Sequence, residues 1–298
     1  MFTIREKIGE GGFGEVVEAT NNETGEIVAI KMECAHKNKK SNHSSKSSRS
    51  QLINEAEIYR RLETNPLFSK GKLHQIDGKM ALVMTKLGPS VESVFKKNRK
   101  MFTNDVIASV AIDMIKCVRG VHEIGFLHKD IKLNNFVFEV EPTNNHSLPK
   151  VMLIDFGLCK PYVQGPGVHV IFQKNKALNG TVRYCSSNVH FGIEPSRRDD
   201  MISLSYAIAY LITGEFPWQN MGKDLEKNYV YYLIMCQKMA NSMENMMRLS
   251  SSSHRDSDLI SSVILLFNYV SSLKYADTPD YNYCIELMQT CRSSNIQF

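Results

Sequence analysis

The sequence predicts an α+β fold in two parts, a β-rich first part and a helix-rich second part. Three observations carry this. Short β-prone runs alternate with Gly- or Asn-rich turns from Phe2 to Ile30, the apolar run MALVMTKLGPS stops at Gly88 and Pro89, and apolar-striped segments dominate from Asn104 onward.

The runs FTIREKI, EVVEAT and EIVAIK, separated by GEGGFG and NNETG, have the pattern of antiparallel strands. Residues 36–50 (HKNKKSNHSSKSSRS) hold no large apolar side chain and read as a mobile, basic, Ser-rich loop. A helix follows, with Leu52, Ile53, Ala56, Tyr59 and Leu62 at helical spacing. The strand in MALVMTKLGPS ends at a Gly-Pro pair, a natural hinge. From Asn104 to His122 an apolar stripe runs through Val106, Val110, Met114, Val118 and Val121, the mark of an amphipathic helix. MISLSYAIAYLITG and SDLISSVILLFNYVSSL read as buried helices, and no internal repeat is visible.

The 298 residues suit two domains or one large two-part unit, and 43% hydrophobic with 22% charged residues is the balance of a folded globular chain. The N-terminus lacks the pattern of a signal peptide and no window is apolar enough to span a membrane, so a cytosolic or nuclear protein is expected. Seven scattered cysteines without a CxxC pair argue against a disulfide framework and against a zinc site. A net charge of +5 is too mild to argue nucleic-acid binding, although a local basic patch could meet acidic partners.

Gly9, Gly11 and Gly14, followed by Val16, form a GxGxxGxV pattern between two strands. A strand rather than a helix follows, which excludes the dinucleotide-binding version, and VAIK with Lys31 ends the next strand. LHKDIKLNNF then supplies His128, Asp130, Lys132 and Asn135, and VMLIDFG places Asp155, Phe156 and Gly157 on a strand 20 residues beyond the asparagine. Together these resemble the signature set of the protein kinases. In that chemistry glycines let backbone close over ATP phosphates, and Lys31 is the cation on the α- and β-phosphates. A carboxylate on the adjacent helix holds it. Glu55, one turn before Tyr59, is the choice for that partner, with Glu57 the competing one. Asp130 orients the substrate hydroxyl and takes its proton, Asn135 and Asp155 offer hard oxygen ligands to Mg2+, and Lys132 suits the serine/threonine pattern, in which a second cation meets the γ-phosphate.

VMTKLGPSVESVF, GTVRYCSSNVHFGIEPSRRDD, GEFPWQ and YADTPDYNY extend the resemblance over nearly the whole chain, to the casein kinase 1 family of serine/threonine kinases. SSN, Ser186 to Asn188, stands where most kinases carry APE. Tau-tubulin kinases, in the same group, are the nearest alternative. The resemblance implies a single bilobal kinase domain over 1–298, with a small β-rich lobe over 1–85, a hinge at 86–88 and a helical lobe over 89–298. ATP would lie between the lobes. It sets the adenine between Ile8, Val16 and Ala29 above and Val137 and Ile154 below, with Met84 as gatekeeper and the backbone of Lys86 and Leu87 as hinge contacts. Tyr59, His128 and Phe156 would stack as a spine of the active state. The implied partners are protein substrates that are acidic or phosphorylated before the target residue, met by Arg183 together with Lys223 and Lys227. Neither nucleic acid nor membrane is implied, and the protein is expected to be a monomer.

Three departures stand out. Lys129 replaces the arginine of HRD, and lysine lacks the planar fork that grips an activation-loop phosphate. Every residue with a direct chemical role is retained, so an active enzyme is expected, the alternative being a pseudokinase that acts as a scaffold. The lysines after Trp218 and Gln219 are not spaced as in the family. Residues 36–50 are longer than expected, and the chain ends at Phe298 without the regulatory tail of some relatives, so regulation by such a tail is not expected.

Overall fold

The computed structural model describes residues 1–11, 14–32, 44–140, 148–165, 167–222, 224–249 and 257–291. The chain divides into two compact units. The first holds Met1–Gly88 with Ile154–Gly157, and the second holds Pro89–Leu153 with the described residues from Leu158 onward. No helix among the described residues is long and apolar enough to cross a membrane.

The first unit is built on an antiparallel sheet of β1 (Phe2–Gly11), β2 (Gly14–Asn21), β3 (Ile27–Met32), β4 (Gly71–Ile76) and β5 (Lys79–Thr85), in the order β1-β2-β3-β5-β4. Alternation along the strands sends Val17, Ala19, Val28, Ile30 and Ala81 to one buried cluster. Strand β4 was not anticipated. Its signal was the Asp77-Gly78 pair, both residues at positive φ (49° and 76°), in the two-residue turn that joins β4 to β5.

Helix α1 (Ser44–Leu62) buries Leu52, Ala56, Ile58, Tyr59 and Leu62. It corrects the expected loop over 36–50. Residues 44–50 are helical and 36–43 lie outside the described residues. The stretch 44–50 contains neither Gly nor Pro, and its Lys46 and Arg49 are good helix formers, so a helix nucleated by the apolar face beyond Leu52 extends back through it.

The second unit is mainly helical. Its elements are α2 (Val91–Lys97), α3 (Asn104–Glu123), β6 (Phe126–Leu127), β7 (Phe136–Phe138), β8 (Val151–Leu153), β9 (Lys160–Pro161), β10 (Val163–Gln164), β11 (Val168–His169), α4 (Ser187–His190), α5 (Arg197–Thr213), α6 (Lys227–Ala240), α7 (Met243–Leu249), α8 (Ser257–Ser272) and α9 (Tyr281–Gln289). Thr103 caps α3 by accepting from the Val106 N–H at 3.3 Å. The stripe expected on α3 is buried at Val110, Met114, Val118 and Val121, while Val106 is half-buried. Helix α5 is buried almost from end to end, as a helix apolar on all sides must be. It packs against α3 and α8.

The start of α5 is tied to the segment before it. Asp199, at the third helical position, accepts from the Ser196 N–H at 2.8 Å in a capping box. Its other oxygen accepts from the Ser186 hydroxyl at 2.6 Å and the Asn188 amide at 2.9 Å. Ser186 to Asn188 is thus anchored through hydroxyl and amide donors, without the carboxylate of an APE triplet.

Candidate active site

In the first unit, β2 pairs with β3 so that Val16 lies opposite Lys31, and β3 pairs with β5 so that Ala29 lies opposite Met84. Gly9 and Gly11 belong to β1, and Gly14 opens β2 opposite Gly11. A Cβ at Gly14 would collide with the Met32 carbonyl oxygen, so this glycine is required by a close approach of backbone. Of the apolar candidates, Ala29 is buried, Val16 and Ile154 are half-buried and Ile8 is exposed. Lys86 directs its ammonium to the Leu87 carbonyl at 3.2 Å and to Glu18 at 3.7 Å.

Lys31 is buried beneath the sheet, and its Nζ lies 2.8 Å from Glu55 Oε2 and 2.8 Å from Asp155 Oδ1. Burial lowers its pKa, but the two carboxylates raise it by more, so the ammonium stays charged. Burial is the largest influence on Glu55 and lifts its carboxyl above the ordinary range. Lys31 and the Phe156 N–H oppose this. Glu57, the competing partner, faces away from Lys31. It bonds Arg60 and Arg61 at 2.8 and 2.9 Å on the exposed side of α1, and these bonds hold its carboxyl at about 2. Asp155 sits in left-handed backbone, φ 64°, a strained conformation tolerated where geometry matters. The ring after it, Phe156, meets Tyr59 edge-on at 4.8 Å and Phe68 at 6.1 Å.

In the second unit the loop after β6 carries Asp130, Lys132 and Asn135. Lys132 Nζ lies 2.5 Å from Asp130 Oδ2, and Asn135 Nδ2 donates to the Asp130 carbonyl at 2.9 Å. Thr181 donates its hydroxyl to Asp130 Oδ1 at 2.7 Å, so both carboxylate oxygens are held. Gly180 precedes it at φ 91°, and a Cβ there would strike the Lys129 carbonyl. The loop itself hangs from Asp200 on α5, which accepts from the backbone N–H groups of His128 (2.7 Å) and Lys129 (2.9 Å). Asp200 is also 3.1 Å from His122 Nε2, and His122 Nδ1 is 2.6 Å from the Tyr281 hydroxyl. Burial would raise the Asp200 pKa, but the His122 hydrogen bond and the other donors hold it below the ordinary value. His128 and Val137 are buried in this unit.

Lys129, Lys160 and Lys176 line one small cavity with Glu194. Lys160 and Lys176 pair with that carboxylate at 2.8 and 3.5 Å. The chain therefore supplies its own anion beside Lys129.

A groove is lined by Glu92, Lys96, Lys132, Thr181, Arg183, Trp218 and Tyr231 among others. Arg183 lies 3.7 Å from Glu92, which also pairs with Lys96 at 2.8 Å. Lys227 does not line the groove. Its ammonium lies over the ring of Tyr231, 5.5 Å from the centroid. Lys223 lies outside the described residues.

Each unit offers an oxygen donor of the kind a hard divalent cation takes, the Asp155 carboxylate in the first and, in the second, the Asn135 amide oxygen, to which no described residue donates. Among the described residues no group of three or more His, Cys, Asp or Glu could hold a metal by itself. A metal would depend on phosphate oxygens and water for its remaining ligands, which is how Mg2+ is commonly held.

The family model of the protein kinase domain matches residues 2–275. The chain belongs to the protein kinase family. The β-sheet unit and the helical unit are the two parts of its α+β kinase fold, and the kinase is a phosphotransferase that uses ATP with a divalent metal and acts on protein.

Thr181, Asp200 and His122 were not singled out from the sequence. GTVRY contains the threonine, but nothing in a threonine 51 residues beyond Asp130 announces a hydrogen bond to it.

Proposed function

We propose that this kinase transfers the γ-phosphoryl group of ATP to serine or threonine hydroxyls of protein segments that are acidic or already phosphorylated, in the manner of the casein kinase 1 family. The observation that carries the reading is the arrangement at Asp130, whose carboxylate is fixed between the Lys132 ammonium and the Thr181 hydroxyl.

Asp130 orients the acceptor hydroxyl and takes its proton as the oxygen attacks phosphorus. Lys132, beside it, stabilises charge on the transferring group. Lys31, aligned by Glu55, holds the α- and β-phosphates. Asp155 and Asn135 would hold Mg2+, which when bound would neutralise phosphate charge. Arg183, with Lys96 and Lys132 in the same groove, favours acidic residues of the acceptor. Glu194 beside Lys129 supports activity without activation-loop phosphorylation, since a carboxylate of the chain already stands there.

The test is radiolabel transfer from ATP with magnesium to casein and to an acidic serine peptide, comparing wild type with Asp130→Asn. The substitution should cut transfer by at least about a hundredfold. A folded, ATP-binding wild type that transfers no more than Asp130→Asn would sink the reading in favour of a scaffold.

A further inference from the structure

Lys238, on α6, is only 5% exposed. A buried ammonium is normally paired with a carboxylate. Among the described residues Lys238 has no such ion pair. Its Nζ donates instead to two main-chain carbonyls, Val182 at 2.7 Å and Cys185 at 2.6 Å, and lies 3.4 Å from His190 Nε2. The faces of Tyr206 and Trp218 flank it, with centroids at 5.3 and 5.5 Å. Trp218 in turn donates its indole N–H to the Arg183 carbonyl at 3.1 Å. Three carbonyls in the four residues Val182 to Cys185 are thus gripped by Lys238 and Trp218. At one end of this stretch Thr181 meets Asp130, and within it Arg183 reaches the groove.

We propose that Lys238 is a positioning residue for the acceptor substrate, its ammonium holding the Val182 and Cys185 carbonyls so that Thr181 stays on Asp130 and Arg183 stays in the groove. The role rests on the reading of that groove as the substrate site. An ammonium suits the task because the acceptors are carbonyl oxygens fanned around one point, and three rotatable N–H donors can serve them together. The stretch Ser186 to Asn188 that follows offers no carboxylate of its own, so the hold on the backbone just before it falls to α6.

The surroundings make the role readable by pH. Burial lowers the Lys238 pKa to about 8. Of the groups facing it, His190 is held neutral down to about 4, and burial raises both the Cys185 thiol and the Tyr206 phenol. Within this cluster, the charge that changes just above neutrality is that of Lys238.

The test compares wild type with Lys238→Met on an aspartate-rich serine peptide, with melting temperature recorded alongside. The variant should raise peptide KM by at least about fivefold while ATP KM stays within about twofold. Wild-type peptide kcat/KM should fall as pH rises through about 8, and the variant should lack that inflection. Should Lys238→Met fail to fold, the wild-type profile decides alone. Peptide and ATP parameters falling together, or a wild-type peptide profile flat from about pH 7 to 9.5, would overturn the role. No transfer by wild type even to casein would overturn the reading of the groove and this role with it.

Discussion

Glu55→Gln replaces the buried carboxylate opposite Lys31 by an amide of nearly the same size. Removing one member of a buried ion pair costs about 3–5 kcal/mol when it strands the other. Lys31 is not stranded, because Asp155 remains 2.8 Å away and the glutamine oxygen can still accept a hydrogen bond. What is lost is the extra strength of one charge-assisted bond, about 1–2 kcal/mol. At about 2–4 °C per kcal/mol for a large domain, the melting temperature should fall by about 2–8 °C. If the pair aligns Lys31 on the phosphates, the same energy missing from the transition state lowers kcat/KM by about 5- to 30-fold. Burial already disfavours the Glu55 carboxylate, and the amide escapes that cost, so the rate is the sharper readout. Glu57→Gln, three bonds of which lie on the exposed face with Arg60 and Arg61, is the control and should behave as wild type. Scanning fluorimetry and initial rates of peptide phosphorylation decide the matter. A Glu55→Gln protein indistinguishable from Glu57→Gln in both would refute the reasoning.

Thr181→Val removes the 2.7 Å bond to Asp130 Oδ1, and the loss of a hydrogen bond to a charged group, about 1.5–3 kcal/mol, should lower kcat by about 10- to 150-fold in steady-state assays with ATP KM little changed. Gly14→Ala drives a methyl group into the Met32 carbonyl and should destabilise the β1–β2 turn by about 1–3 kcal/mol, seen as a lower urea midpoint and a higher ATP KM. For His190, burial and then the Lys238 ammonium hold the imidazole neutral down to about 4, against an ordinary 6.5 in the unfolded chain. The unfolded chain therefore takes up the proton first. Stability is full above 6.5 and declines as pH drops towards about 4, and His190→Gln should flatten that decline in urea unfolding at about pH 7 and about pH 4.5.

What the sequence made legible was chiefly what is local. The glycines, VAIK, LHKD and DFG each pack their chemistry into a few consecutive residues, and strand alternation or helical periodicity says which element carries them. The choice between Glu55 and Glu57 stayed open because they differ by two positions on one helix, a turn of about 200° that sends one to Lys31 and the other to solvent. The β4 strand escaped notice because its two apolar residues, Leu73 and Ile76, are three apart and do not alternate, so that the Asp-Gly turn is its clearest mark. Residues 44–50 read as loop because composition was weighed without the helix that follows them. Thr181, Asp200, His122 and Lys238 were illegible for another reason. Each acts on residues some 50 to 160 positions distant or, if nearer in space, through backbone carbonyls and N–H groups that carry no side-chain signature.

The carboxylate of Asp199 has two clients, the first turn of α5 through one oxygen and the Ser186 to Asn188 segment through the other. Fraying of the helix start and release of the segment are consequently not separate events. An opening that frees Asp199 loosens both, and any excursion of the segment that pulls on Ser186 is resisted by a helix buried almost from end to end. In hydrogen exchange the Val189 amide, bonded to Ser186, and the Ser196 amide should share one opening free energy, a cooperative unit joining the Ser186 to Asn188 segment to the buried helix α5.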